Sequence, residues 1–217
     1  MTIRLILVFI LILTQGAIGW YMVKSGLTIN TTVSHYRLSI HLFIAFSIFS
    51  SLIWILLNSI NRSEKKIFEF NSNHIILKLL LFLLFIQIIF GAFVSGLDAG
   101  RLYQTWPLMD GSYFPSDMQV NVFLNFNEPS YVQFIHRNTA YLIFFVSIYL
   151  GFTVYNKKNL RLFSYFLLYF LFILAQIILG ILVLTSGMNI YLASMHQISS
   201  IFLVVAAINL YYRSIRS

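Results

Sequence analysis

Three histidines carry the first chemical signal in this sequence: His41, His136 and His196. Each lies about five or six residues inside one end of a long apolar segment, which is roughly 8–9 Å below the boundary at ~1.5 Å of rise per residue. They fall on the second, fourth and sixth of these segments, so they share a depth and form a layer. Ionisable side chains inside an apolar slab are costly and mark function. Neutral imidazole is an axial ligand of haem iron, and two facing helices that each give one histidine can clamp a haem inside a bundle. Zinc fits less well, because no carboxylate or thiolate stands at this depth to complete its usual ligand set. The competing reading is that neighbouring helices satisfy the rings as ordinary polar groups. That reading accounts for one such histidine as well as a ligand role does, but less well for three in register.

Arginines stand beside the layer. Arg37 is four residues before His41, on the same helical face, and Arg137 follows His136. Arg101 opens a long connection. Guanidinium groups pair well with carboxylates such as haem propionates, although snorkelling to lipid headgroups explains Arg37 and Arg101 nearly as well. His35 and His74 stand at segment starts and read as interfacial polar residues.

The segments that position these groups are transmembrane helices. Of 217 residues, 59% are apolar and 9% charged, too little charge for a soluble surface. Six stretches reach the ~20 residues that a span needs: Ile3–Val23, His35–Leu57, Ile75–Leu97, Tyr131–Tyr155, Leu162–Leu184 and Tyr191–Tyr211. None contains a proline; Pro107, Pro115 and Pro129 all lie between the third and fourth. Arg4 and the small residues Gly16, Ala17 and Gly19 give the first stretch a leader-like look. Its pattern recurs later, which favours a retained helix. The fold class is therefore an all-α polytopic bundle of six transmembrane helices.

The net charge of +8 sits in short clusters between apolar runs, with no basic stripe and no nucleic-acid motif. Arg4, Arg62, Lys65, Lys66, Lys78, Lys157, Lys158, Arg161, Arg213 and Arg216 fall on one side. Lys24, Arg37, Arg101 and Arg137 fall on the other. The excess puts both termini in the cytoplasm. The long connection, residues 98–130, then faces outward. It holds four of the six acidic residues and the aromatics Tyr103, Trp106, Tyr113 and Phe114, which argue for order; it should pack over the outer mouth. The absence of cysteine excludes disulfides and thiolate sites.

A repeat organises the chain as three helix pairs. Gln15, Gly19 and Ser25-Gly26 match Gln176, Gly180 and Ser186-Gly187 in spacing; Gln87, Gly91 and Ser95-Gly96 match with the last pair two residues earlier. A histidine-bearing segment follows each. Helix packing and interhelical hydrogen bonding are the preferred roles of these glycines and glutamines.

The run Gln15–Leu27, Tyr36-Arg37-Leu38 before His41, Gly96–Gly100 with Thr105–Gly111, His136-Arg137 and His196-Gln197 resemble the haem A synthase family of proteobacterial and mitochondrial type. The resemblance spans essentially the whole chain, and the Thr105–Gly111 motif is highly specific. It implies eight helices in two pseudo-symmetric halves, each offering a histidine pair to one haem. By that resemblance His136 and His196 are axial ligands of a cofactor haem b, with Arg137 on a propionate. His41 ligates the iron of the substrate haem, with Arg37 nearby. No residue is assigned as catalytic. The implied reaction oxidises a ring methyl of haem O to a formyl group. The alternative is a non-catalytic haem b-binding electron-transfer or oxidase assembly subunit; nothing positive points to a proton-relay transporter.

The same resemblance aligns Met1 near the family's third helix. The expectation is residues 1–60 as the remnant of a substrate-haem half and 75–217 as a four-helix haem b half. One substrate-haem histidine and a nearby glutamate are then absent, and the chain reads as a fragment, a truncated frame or one piece of a split enzyme. Implied partners are haem O, membrane lipid, separately encoded N-terminal helices or a second copy of the chain, a haem O synthase and cytochrome oxidase assembly factors, with no nucleic acid. The implied location is the cell inner membrane, or the mitochondrial inner membrane in a eukaryote.

Overall fold

The computed structural model describes residues 2–24, 33–65, 74–117 and 125–215. Six α-helices form it: α1 (Thr2–Lys24), α2 (His35–Ile60), α3 (Ile75–Gly96), α4 (Pro129–Asn156), α5 (Leu160–Thr185) and α6 (Ile190–Ser214). All six are long and apolar enough to cross a membrane. Ser25, Gly26, Lys66 and Arg216 lie outside the described residues.

The helix ends follow local chemistry. Asn159 accepts from the Leu162 amide, and Asn189 from those of Tyr191 and Leu192, which satisfies orphan donors at two N-termini. Helix α4 begins two residues before its expected start, on Pro129. Proline has no amide hydrogen to lose at that position and its φ is already helical. One proline thus belongs to a span after all.

Helices α3 to α6 form a ring in which α3 packs on α4, α4 on α5, α5 on α6 and α6 on α3. This places α4 and α6 across a diagonal. Helix α2 lies against α3 and α6, and α1 packs along α2. The core of the ring is aliphatic and aromatic, with Leu80, Leu84, Leu150, Ile173, Leu203 and Leu210 buried. Lipid tails are as apolar as these side chains, so close fit and polar ties must hold the helices together. Gly151 is one such fit, since a Cβ there would lie 2.4 Å from the Phe166 ring. Tyr169 and Ser147 form a buried tie, hydroxyl to hydroxyl at 3.0 Å.

At one end of the bundle, Trp54 and Asn58 donate to the Lys65 carbonyl, each at 3.0 Å. Lys65 Nζ donates to the Tyr212 carbonyl at 2.9 Å, and Arg213 donates to Asn61 at 3.1 Å. The α2 C-terminus is thereby locked to the α6 C-terminus. This end carries the larger basic cluster. Reporter fusions at Lys65 and Lys157 are expected to give cytoplasmic signals and one at Gly111 a periplasmic signal; a cytoplasmic signal at Gly111 would invert the bundle.

The described part of the long connection is ordered by packing at the other end. Tyr103 and Met109 are buried against Phe134 of α4. Gln133 donates to the Tyr103 carbonyl at 2.9 Å, and Tyr113 donates to Asn138. The Thr105–Gly111 motif is a tight turn. Thr105 Oγ1 donates to the Leu108 carbonyl and accepts from the Asp110 amide, both at 2.8 Å. Gly111 has φ +89°, a left-handed conformation that favours glycine. Gly100 touches Met188 in the α5–α6 turn, where a Cβ would lie 2.4 Å from its sulfur. The described part of the loop therefore covers the α4 and α5–α6 side of this end.

Candidate functional site

His41, His136 and His196 stand six, seven and six residues past the first residues of α2, α4 and α6. All three are half-buried near the end that carries the long loop. His136 and His196 project from the diagonal helices and lie within electrostatic range of each other. His41 stands outside that ring, against α1.

Each histidine meets the helix before it in the same way. A Cβ on Gly19 would lie 3.0 Å from His41 Cε1, on Gly91 3.4 Å from His136 Cε1, and on Gly180 3.3 Å from His196 Cε1. The glycine is the flat floor on which the imidazole lies. The glutamine one turn earlier reaches the same residue. Gln15 Nε2 is 3.1 Å from His41 Nε2. Gln87 Nε2 is 3.4 Å from His136 Nε2 and donates to the His136 carbonyl at 3.1 Å. Gln176 Nε2 donates to the His196 carbonyl at 3.0 Å and to Ser199 Oγ at 2.7 Å. Packing and interhelical hydrogen bonding, the roles expected from sequence, are both present. What sequence reasoning missed is that their target is the histidine layer in all three pairs. The signal was there in the repeat, because each Gln-x-x-x-Gly precedes a histidine-bearing segment.

Protein partners leave the rings incompletely satisfied. Nδ1 of His41, His136 and His196 is buried without a hydrogen-bond partner, as are Gln15 Oε1 and Gln87 Oε1. Unmet polar atoms in an apolar interior cost free energy. Among the described residues, no group of three or more His, Cys, Asp or Glu side chains could hold a metal ion. Half-open imidazoles, each on a glycine floor and short of partners, suit a flat metal-centred ligand better than a bare cation. The donor set fits haem: nitrogen ligands only, one from each of two facing helices.

The arginines are placed differently from one another. Arg137 donates from its two terminal nitrogens to the carbonyls of Tyr103, at 2.7 Å, and Thr105, at 2.9 Å. Its guanidinium clamps the long loop directly beside His136. Arg37 lies over the Tyr21 ring at 3.9 Å and donates to the Tyr21 carbonyl at 3.3 Å, joining the ends of α1 and α2. Arg101 pairs with Asp98 at 3.8 Å and is exposed. His35 is the first residue of α2, as expected. It is buried in the α2–α3 crossing, with Phe93 edge-on at 5.3 Å. A Cβ on Gly96 would lie 2.7 Å from its own Cβ, so the glycine permits the approach. His74 sits at the start of α3, as expected.

The fold and the site define a class: a multi-pass, all-helical membrane protein with a layer of histidines at one end of its bundle. The chain belongs to the family described as cytochrome oxidase assembly protein (COX15-CtaA), whose model matches residues 1–208. It is 44% identical over 210 residues to the haem A synthase of Pelagibacter ubique strain HTCC1062, covering 95% of this chain and 61% of that protein. It is 36% identical over 215 residues to the haem A synthase of Rickettsia rickettsii strain Sheila Smith, covering 95% and 63%. Over 138 residues it is 48% identical to the haem A synthase of Allorhizobium ampelinum. The chain thus spans a little over three fifths of the first two relatives.

Proposed function

We propose that this chain binds haem b between His136 and His196 in an inner membrane and serves haem A biosynthesis, the oxidation of a ring methyl of haem O to a formyl group. One observation carries the reading. Two histidines stand on the diagonal helices of a four-helix ring, each on the glycine floor of the preceding helix. The relatives are named haem A synthases, and the oxidation is the reaction that the resemblance implies. Bound haem would supply one-electron chemistry in a site that the surrounding apolar helices keep dry.

The residues of the chain hold and orient. His136 and His196 would hold the haem iron, each through one ring nitrogen. Gln176 fixes the His196 backbone through two hydrogen bonds, and Gln87 does the same for His136 through one. Arg137 closes the loop over the site and keeps further N–H donors for a propionate. His41 is the ligand for the haem that reacts, with Arg37 holding α1 against α2 beside it. On this reading residues 75–217 form the cofactor half and residues 1–60 part of the substrate half. Both termini face the cytoplasm.

The test is pigment analysis in a host that makes haem O but lacks its own haem A synthase. Expression of the full chain, alone and together with the first two helices of a full-length relative, should yield haem A in at least one case, and His41→Ala should remove it. Haem b in the purified protein without haem A in either case would instead favour a haem-binding subunit with no oxidation chemistry.

A further inference from the structure

The three glutamines occupy two different resting places. Gln176 directs its amide nitrogen to the His196 backbone carbonyl. Gln87 divides it between the His136 carbonyl and ring Nε2. Gln15 gives it to the His41 ring Nε2, at 3.1 Å. The helix pairs share their spacing and their glycine floor, so these are two places of one device, with Gln87 between them.

An amide nitrogen only donates hydrogen bonds. With that nitrogen toward the ring, Nε2 is the acceptor and the proton rests on Nδ1; the reverse amide orientation would put Gln15 Oε1 on an Nε2–H. The Nδ1–H form is the tautomer whose Nε2 lone pair can ligate a metal. We infer that Gln15 is a displaceable cap on His41: it holds the ring in its ligating tautomer while empty, and it swings to the His41 carbonyl when an iron-porphyrin ligand takes Nε2. The open position is the one that Gln176 shows over His196. The full cap stands on His41, a longer contact on His136, and none on His196. This rests on the haem reading above for the identity of the ligand, but not for the tautomer.

Two substitutions separate the cap from simple packing. Gln15→Leu removes the competing hydrogen bond and should tighten His41-dependent binding of ferric protoporphyrin IX to the full chain by roughly 3–10-fold, the range of one net hydrogen bond. Gln15→Glu places a carboxylate against the ring. It accepts from Nε2–H, holds the other tautomer and should weaken the same binding. Neither change should have any effect in a His41→Ala background. Nitrogen NMR of 15N-histidine-labelled protein should show His41 in the Nδ1–H tautomer in the wild type, and in the Nε2–H tautomer in Gln15→Glu.

Equal weakening by both substitutions would mean that Gln15 only packs α1 on α2, and would overturn the cap. An Nε2–H tautomer in the wild type would overturn it too. Absence of His41-dependent binding in every variant would count against the haem reading of His41; the NMR measurement needs no haem and still decides the cap.

Discussion

Replacing His136 or His196 with alanine is expected to abolish the six-coordinate, low-spin haem b spectrum of the purified protein. Each variant would remove one of the two proposed ligand nitrogens, and no third histidine stands within helices α3 to α6 to replace it. Gly180→Val should have nearly the same effect with both ligands intact. A Cβ there already lies 3.3 Å from His196 Cε1, and the two further methyl groups must push the ring off its floor. Overpacking of this kind costs ~1–3 kcal/mol, and misplaced metal ligands lose roughly 10–100-fold in affinity. His74→Ala, at the other end of the bundle, should leave the spectrum unchanged. If both His136→Ala and His196→Ala keep the wild-type spectrum, the ligand assignment fails, and the family membership does not rescue it.

The second large effect concerns the loop. Arg137→Ala removes both hydrogen bonds from its guanidinium to the Tyr103 and Thr105 carbonyls. Bonds to a charged donor contribute ~1.5–3 kcal/mol, and among the described residues only Gln133 would still hold the Tyr103 carbonyl. The segment from Tyr103 to Asp117 should become cleavable by chymotrypsin added from the outer side, while the spans stay intact. Arg137→Lys should restore little, since a single ammonium cannot reproduce the planar fork that bridges two carbonyls. The result also separates two roles. If Arg137 serves a haem propionate alone, haem affinity falls and the loop remains protected. If it clamps the loop, protection falls first.

Much of this was legible in the chain itself. Span length and apolar content gave six helices with ends correct to within three residues, because a bilayer imposes a minimum length that few other environments demand. The shared depth of His41, His136 and His196 was equally readable, since helical rise converts residue offset directly into depth. Family motifs such as Thr105–Gly111 pointed to the lineage that the comparisons show.

What the sequence could not decide was which side of each helix meets which neighbour. Rotation about a helix axis is set by packing, and almost every face of these helices is apolar, so no amphipathic stripe marks the inside. For that reason the burial of His35 in the Gly96 crossing could not be read from its place at the start of α2. Arg137 could be placed near His136, but not on two loop carbonyls some thirty residues upstream. The glutamines and glycines of the repeat read as packing residues. Only the tertiary structure, by docking each helix pair in one register, turned them toward the histidines.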